Sequence, residues 1–377
     1  MPATDLPDVR LGPPGGLVAA IKPNTLIYVA LNVGDGDCQL VVLPVDKSGR
    51  RRIIIVDTIR ASKLQALIDD LDAAGILGPG GPQVEIVVAT HPHADHIRGI
   101  PAILDAYAAS TPEVWDPGYR HVSGMYMDIL DRVAKHGLER TVVSAGMTRI
   151  LGDTRITVLA PAVSLQRKFD TYGVNANDAS VSLKLDYPAS QVIREVKNGA
   201  TKLSYIDFDI GRTLILGADA QFESWAQVIH DFPQLGPVST PVTAALRLSG
   251  GTQPLLADVF KVPHHGSKHG LTLELVEAIR PKVSIVSSVR SGGSYEFPHE
   301  VAMAQLREAI NARSSSPGTP HDDDDKLILL YTGSDMDNGG PAGSVCVLCQ
   351  IVGTPQVWRM MDSASTSIDL ADARPLL

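Results

Sequence analysis

Cysteine is scarce: Cys38, Cys346 and Cys349 are the only three in 377 residues. Three thiols cannot frame a disulfide scaffold, so stability must come from a packed apolar core. Cys346 and Cys349 form a Cys-x-x-Cys pair, but it lies inside Val345–Val352, a run with the composition of a buried strand. Side chains three positions apart on a strand point to opposite faces, which favours two small buried residues over a redox pair or a zinc knuckle. Long apolar runs are also missing. No uninterrupted segment approaches the roughly 18–20 residues of a membrane-spanning helix, so no membrane is expected as a partner. Asp5, Asp8 and several prolines precede any apolar run, unlike a secretory leader, and the expectation is a soluble, cytoplasmic protein. Positive charge is in deficit. With 33 Lys and Arg against 42 Asp and Glu, the net charge of −9 gives no global attraction for polyanions. A nucleic-acid substrate would need local basic residues or a metal. Gly-rich phosphate loops, a Ser-His-Asp order and nucleotide-binding fingerprints are absent as well.

What is present is a hydrophobic content of 44% beside 20% charged residues, the balance of a globular protein with a sizeable core. Residues 1–21 are rich in Pro and Gly and read as a loosely ordered arm. Residues 22–377 read as one domain, because no second core is visible. Its first part runs as hairpin strands, then strand–helix–strand. Strand Thr25–Val33 breaks at Gly34-Asp-Gly-Asp-Cys38 and resumes at Gln39, and Ile53–Asp57 follows. Leu64, Leu67, Ile68 and Leu71 recur at helical spacing. Further on, Asn198-Gly199 marks a hairpin turn between 190–197 and 201–210. A polar, acidic linker spans 313–326 and ends in four aspartates and Lys326, which a solvated loop explains better than a calcium site. Short strands over 327–362 read as an extension of the same domain.

The densest chemistry is Thr90-His91-Pro92-His93-Ala94-Asp95-His96, between a buried strand (Val84–Ala89) and a predicted helix (Ile97–Tyr107). On an extended loop His91 and His93 project to the same side, and Asp95 and His96 sit where the chain turns into the helix. Imidazole nitrogens with carboxylate oxygens suit zinc, manganese or iron better than magnesium or calcium. Other ligand-type side chains stand beside strands farther along. These are Asn177-Asp178 before the strand at 181, Asp219 ending Thr213–Asp219, and His264-His265 after Asp258–Pro263. His136 lies in the last turn of a predicted helix, where the dipole favours an imidazole, so a structural role is the simpler reading. Ser267 reads as a helix cap or pocket lining rather than a nucleophile.

His-x-His-x-Asp-His after an apolar strand resembles the metallo-β-lactamase superfamily of metal-dependent hydrolases. A narrower likeness rests on Asn32-Val-Gly-Asp-Gly-Asp-Cys38, the metal loop, the Asn/Asp-x-Ser-x-x-Leu strand, Leu216-Gly-Ala-Asp219 and Lys261-Val-Pro-His-His-Gly-Ser267, in that order. Together they are similar to the hydrolase domain of ComEC-type DNA-uptake proteins and their soluble relatives, over about 25–360. The resemblance implies an α/β fold, a four-layer αββα sandwich, with 188–210 and 233–256 as insertions. It implies His91 and His93 on a first metal, Asp95 and His96 on a second, and Asp219 bridging them. A histidine of the His264–His265 pair would complete or flank the site. Asp95, Asp219 and His265 become the candidate catalytic residues.

The chain departs from that family at Asp57-Thr58-Ile59, where Asp-Gly-Gly is usual, and at Phe297-Pro298, where His-Pro is usual. His299 is a candidate substitute. Asp178 stands near the place of a third histidine of the first metal, with a capping aspartate as the equal alternative.

Two metals roughly 3.5–4 Å apart bind one hydroxide, lower its pKa towards neutrality and stabilise a leaving oxygen. The expectation is therefore a metal-dependent phosphodiesterase or nuclease with two divalent cations, zinc before manganese or iron. Lys261, Lys268 and Arg290 are candidates to meet phosphate. A small-molecule ester, lactone or β-lactam hydrolase is the alternative, and an inactive binding protein that keeps the fold is the third reading. Oligomeric state is not readable from these features.

Overall fold

The computed structural model describes residues 10–118, 123–165, 176–189, 191–197, 200–206, 212–232, 255–288, 297–314, 328–333 and 343–377. One helical turn, α1 (Leu17–Ala20), precedes β1 (Leu26–Ala30), β2 (Cys38–Val42) and β3 (Arg52–Thr58). Helix α2 (Ala61–Ala73) leads to β4 (Gln83–Val88), and α3 (Ala94–Ile97) and α4 (Ile100–Tyr107) lead to β5 (Glu113–Asp116). Helix α5 (Gly124–His136) then leads to β6 (Arg140–Val142). A second series follows with β7 (Thr148–Leu151), β8 (Thr154–Ala160), β9 (Ser182–Tyr187), and the hairpin β10 (Gln191–Lys197) and β11 (Ala200–Ile206). After β12 (Arg212–Leu216) come α6 (Phe222–Asp231), β13 (Val259–Lys261), α7 (Leu273–Ile279), β14 (Val283–Val286), α8 (Glu300–Ser314) and β15 (Ile328–Tyr331). The chain closes with β16 (Val345–Cys349), β17 (Gln356–Arg359) and β18 (Arg374–Pro375).

Two large sheets result. One has the order β18-β17-β16-β1-β2-β3-β4-β5-β6, the other β15-β14-β13-β12-β9-β8-β7. Each is antiparallel on one side and parallel on the other: β3-β4-β5-β6 and β12-β13-β14-β15 are the parallel runs. Parallel neighbours need crossovers, and here the helices supply them and cover the outer faces.

Between the sheets lies an apolar core of alternating inward residues, including Tyr28, Ile54, Ile86 and Val88 from the first sheet and Leu183, Leu185, Leu214, Val259 and Ile285 from the second. The opposite face of the first sheet (Ile27, Ile55, Val87) packs on Leu64, Leu67, Ile68 and Leu71 of α2 and on Ile103 of α4. Their i, i+3, i+4, i+7 spacing makes the single apolar stripe expected from the sequence. Ile215, Phe260 and Val286 of the second sheet face Trp225, Val276 and Leu306 of α6, α7 and α8. The architecture is a four-layer αββα sandwich.

Several local expectations are revised. The helix expected over 97–107 is interrupted at Gly99, whose N–H donates to Thr58 O at 2.8 Å instead of continuing the ladder. A Cβ there would lie 2.9 Å from that same oxygen, so glycine is required. Residues 10–21, expected to be loose, are docked. Gly12 and Gly15 donate to Pro375 O and Ala373 O, and Leu17 is buried. The C-terminal strands are more than an extension, since β16 pairs with β1 inside the first sheet. Cys346 and Cys349 do face opposite sides, one in the outer core and one in the inter-sheet core. The hairpin about 198–199 forms with Lys197 opposite Ala200. Most of the 233–256 insertion, the four-aspartate run and Arg290 lie outside the described residues.

Candidate metal centre

The candidate ligands that converge hang from the carboxyl ends of parallel strands, where crossovers leave a crevice between the two sheets. β4 delivers His91, His93, Asp95 and His96, β12 delivers Asp219, and β13 delivers His264 and His265. Of the six non-glycine residues with positive φ among the described residues, Asp57, Ala218, His264 and His265 are all here, at 53°, 46°, 48° and 53°. Left-handed backbone at consecutive histidines is unfavourable for L-residues and persists only where the surroundings enforce it.

Asp219 is at the centre and is buried. Its Oδ2 lies 3.5 Å from His91 Nε2 and 3.7 Å from His264 Nε2. Its Oδ1 lies 3.3 Å from His96 Nε2 and 3.7 Å from His265 Nε2. Asp95 Oδ2 approaches His265 Nε2 at 3.7 Å and His96 Nε2 at 3.9 Å. Three groups therefore form among the described residues, His91–His93–Asp219, Asp95–His96–His265 and Asp37–His96–Asp219, each with ligand atoms within 4.8 Å of one another. His91 Nε2, His96 Nε2, His265 Nε2 and Asp219 Oδ1 are all buried and lack a well-formed hydrogen bond. A cluster of unsatisfied polar atoms would be costly as an end in itself, and its donor set fits divalent cations.

The far nitrogens are occupied. His96 Nδ1 meets Asp57 Oδ2 at 2.8 Å, and Asp57 also accepts from Thr90 N–H at 2.9 Å and Thr90 Oγ1 at 2.6 Å. His265 Nδ1 lies 2.8 Å from Ser287 O and 3.0 Å from Ser287 Oγ. Ser287 Oγ in turn donates to Asp37 Oδ1, while Lys261 Nζ donates to Asp37 Oδ2 at 2.9 Å. Asp37 and Lys261 form a fully buried ion pair. His91 Nδ1 lies 3.1 Å from Thr90 Oγ1. These contacts settle which ring nitrogen faces the centre.

Charge follows the same geometry. Burial would raise the Asp219 carboxyl, yet His96, His265 and His91 around it hold it well below the usual range. Burial likewise opposes ionisation of Asp37, and Lys261 with His265 and His96 outweighs it, so its pKa is lowered. His91 shows the opposite balance: burial, with His96 beside it, pushes its pKa well down.

Other sequence candidates are placed elsewhere. Asp178 is outside these groups. Its Oδ1 accepts from Ser224 N–H at 3.4 Å, at the start of α6, the contact that the capping alternative describes. Asn177 is the neighbour that meets His264, with Nδ2 at 3.2 Å from Nε2, and Gln221 Nε2 lies 2.9 Å from His264 Nδ1. His299 accepts from Val301 N–H at 3.2 Å, at the start of α8, and so faces the helix. Phe297 packs beside the centre, with its ring 6.1 Å from His265 and 5.2 Å from His264. Lys261 is unavailable to a phosphate because it is buried and paired with Asp37, while Lys268 is exposed. Thr272, not Ser267, caps α7. His136 pairs with Asp105 at 2.6 Å on the surface.

Asp37, Asp57 and Ser287 were not singled out by the sequence as partners of histidines. The signal for two of them was present: Asp57 ends an apolar strand, and Asp37 closes a Gly-Asp-Gly-Asp turn. That turn is pressed on the metal loop, for Asp37 N–H donates to Asp95 O at 2.9 Å. Gly36 is at φ 137°, and a Cβ there would stand 2.5 Å from Asp95 O.

A family model described as "Metallo-beta-lactamase superfamily" matches residues 33–161. No curated protein matches the chain. Among solved structures, the metallo-β-lactamase fold protein YhfI from Bacillus subtilis is 10% identical, with 76% of this chain and 93% of that one covered at a TM-score of 0.38. The short form of human tRNase Z is 13% identical, with coverages of 70% and 92% and a TM-score of 0.31. CmlA, a diiron β-hydroxylase from Streptomyces venezuelae, is 11% identical, with coverages of 82% and 53% and a TM-score of 0.37. Residues 33–161, which include the His91–His96 loop, thus resemble the metallo-β-lactamase superfamily, and the two-sheet architecture is the mixed α/β fold expected of it.

Proposed function

We propose that this chain is a metal-dependent hydrolase that holds two divalent cations and cleaves phosphodiesters. The observation that supports it most is Asp219, one buried carboxylate whose two oxygens face separate imidazole groups. His91 and His93 would hold one cation, Asp95, His96 and His265 the other, and Asp219 both. Two such cations supply a water whose pKa is lowered towards neutrality and polarise the bond under attack. Zinc suits this nitrogen-rich set first, with manganese or iron as alternatives.

The protein's own groups orient and exclude. Asp57 and Ser287 fix the rings of His96 and His265, and the inter-sheet core closes the floor beneath them. Asp95 and His93 stand half-buried at the crevice mouth, where substrate would arrive. The phosphodiester assignment draws on the order of motifs shared with ComEC-type hydrolase domains. Small esters or lactones form the second reading, favoured by the Phe297 wall beside His264 and His265 and by the sequestration of Lys261.

The test pairs metal content with activity, on the unaltered protein and on His93→Ala. Both are assayed with bis-p-nitrophenyl phosphate and single-stranded DNA in added manganese or zinc. Close to two metals per chain, with cleavage lost in the variant, is the expected result. Bound metal without phosphodiester cleavage would transfer the assignment to esters and lactones, and a protein that binds no metal would sink both.

A further inference from the structure

His264 is the histidine of the crevice that joins none of the three ligand groups among the described residues, although its Nε2 lies 3.7 Å from Asp219 Oδ2. Amides meet both of its ring nitrogens, Asn177 at Nε2 and Gln221 at Nδ1. Its other neighbours are rings. Phe297 packs edge-on to it at 5.2 Å between centroids and lies within 24° of parallel to His265 at 6.1 Å, both within the range of aromatic pairs. Phe222 directly follows Gln221. His269 is folded back toward His264 by the tight turn 264–270, where a Cβ on Gly270 would lie 3.4 Å from His264 Cβ. Phe222 and His269 meet edge to face at 5.8 Å, and both are exposed, Phe222 at 40%.

The inner ring of this row is seated firmly. Phe297 O accepts from Ser288 Oγ at 2.8 Å, and His299 N–H donates to Gly266 O at 2.8 Å. Gly266 is at φ 78°, and a Cβ there would stand 2.7 Å from Pro298 Cβ, so only glycine lets the loop after β13 lie against Phe297-Pro298. A ring fixed in advance loses little freedom when it binds. The opposite lip differs, for Thr90 to Arg98 contain no Phe, Tyr or Trp. Phe297 alone would suit a small acyl group as well as a ring. The row, however, runs on from Phe297 through His264 to Phe222 and His269, with the exposed Lys268 beside them. Stacking also meets the charge deficit. A net charge of −9 draws in no polyanion from afar, whereas base stacking on aromatic side chains needs no net charge.

We infer that the second-sheet lip is a subsite for a planar ring carried on the reacting phosphodiester, and that Phe297 is the residue that selects for it. Phe222 and His269 extend the surface outward, and Lys268 meets a flanking phosphate. This rests on the phosphodiester reading above. A nucleic-acid strand and a dinucleotide offer the same ring, and the binding arm of the test separates them.

The experiment compares two diesters with one leaving group, p-nitrophenyl thymidine 5′-phosphate and methyl p-nitrophenyl phosphate, in added zinc or manganese. The unaltered protein should favour the thymidine diester at least tenfold in kcat/KM. Phe297→Ala should cut that preference by about 5–100-fold, the range for one stacked base, chiefly through KM. Phe297→Tyr, which keeps a ring, should retain the preference, and Phe297→Leu, which keeps only apolar bulk, should not. Val352→Ala, at an exposed residue of the β16–β17 turn, should leave it unchanged. Metal content and circular dichroism on each variant separate a lost subsite from a lost centre or fold. Binding without turnover is read by fluorescence anisotropy of labelled oligothymidylate in chelator, with unlabelled thymidine dinucleotide as competitor. Phe297→Ala should weaken both ligands. Tighter binding of the oligonucleotide, lost in Phe222→Ala, identifies a strand as the source of the ring, and equal binding identifies the dinucleotide. No preference for the thymidine diester, or a preference kept by Phe297→Leu, would overturn the inference and leave the phosphodiester reading in place. If neither diester is cleaved, that reading falls and the anisotropy decides the inference: binding indifferent to Phe297→Ala would overturn it.

Discussion

The two lips of the crevice are assembled in different ways. The lip of the first sheet is contiguous: His91 to His96 arrive on one loop after β4, and the group that orients His96, Asp57, ends the neighbouring strand β3. The lip of the second sheet is gathered from three strand ends, with Asp219 after β12, His264 and His265 after β13, and Ser287 after β14. Neighbouring parallel strands of one sheet bring these together, but only a packed second sheet does so. The lips are then braced across the gap by Lys261 of β13, which reaches Asp37 in the turn before β2. A contiguous lip needs a local turn and one neighbouring strand, whereas a gathered lip needs the whole sandwich.

The brace is where the comparison breaks most readily. Lys261→Met leaves Asp37 ionised and buried without its partner, and removing one member of such a pair costs about 3–5 kcal/mol. Denaturant unfolding should show that loss, whereas Lys268→Met, at an exposed lysine seven residues on, should leave the midpoint unchanged. A small change in Lys261→Met would mean that the lips hold together without the brace.

The contiguous lip has its own weak point. Asp57→Asn keeps the size of the side chain but replaces a carboxylate acceptor behind His96, and metal affinity should fall by about 10–100-fold. Equilibrium dialysis checks it. An unaltered affinity would mean that Thr90 and the backbone orient the loop without Asp57.

A smaller effect probes the two cores on which the lips rest. Burial pushes the thiols of Cys346, in the outer core, and Cys349, in the inter-sheet core, well above their ordinary value. In the unfolded chain they ionise near pH 8.5. A pKa raised in the folded state gives stability that is fully present below that value and is lost as pH rises above it. Each thiol should therefore cost roughly 0.8 kcal/mol at pH 9 relative to pH 7. Urea unfolding at the two pH values, compared with Cys346→Ala and Cys349→Ala, isolates each contribution. If only one variant removes its share, the other thiol sits in a wetter core than its burial indicates. A cap substitution, Thr272→Ala, should cost about 1 kcal/mol through loss of the bond to Leu275 N–H at 3.2 Å.

Much of the contiguous lip was readable from sequence, because four ligand-type residues within six positions leave packing little room as an explanation. Asp219 and the His264–His265 pair were readable as strand-end residues, although their convergence came from resemblance and not from spacing. What escaped was the layer behind the candidate ligands. Lys261 looked like a residue for phosphate because it lies next to a histidine motif. Yet it ends β13 (Val259–Lys261), a strand buried along its whole length, where a lysine must find a carboxylate. Its partner, Asp37, is more than two hundred positions away, so no local pattern names it. Asp178 carried a similar ambiguity. An aspartate beside a strand can bind a cation or cap a helix, and the helix it caps, α6, begins 44 residues later.

One pairing in the first sheet governs how the chain must fold in time. β1 lies between β2 and β16, with Ala30 opposite Val345 and Leu26 opposite Cys349. During translation β2 follows β1 within a hairpin, but β16 emerges only after the entire second sheet has been made. At about 5–20 residues per second, that interval lasts on the order of 15–60 s. Throughout it, Leu26–Ala30 presents an apolar strand with one row of backbone donors and acceptors unmatched, the kind of edge on which nascent chains aggregate. A ribosome that stalls before residue 345 would leave the protein in that state, with every ligand-type residue of the candidate centre already synthesised and the sheet that carries the metal loop still open on one side.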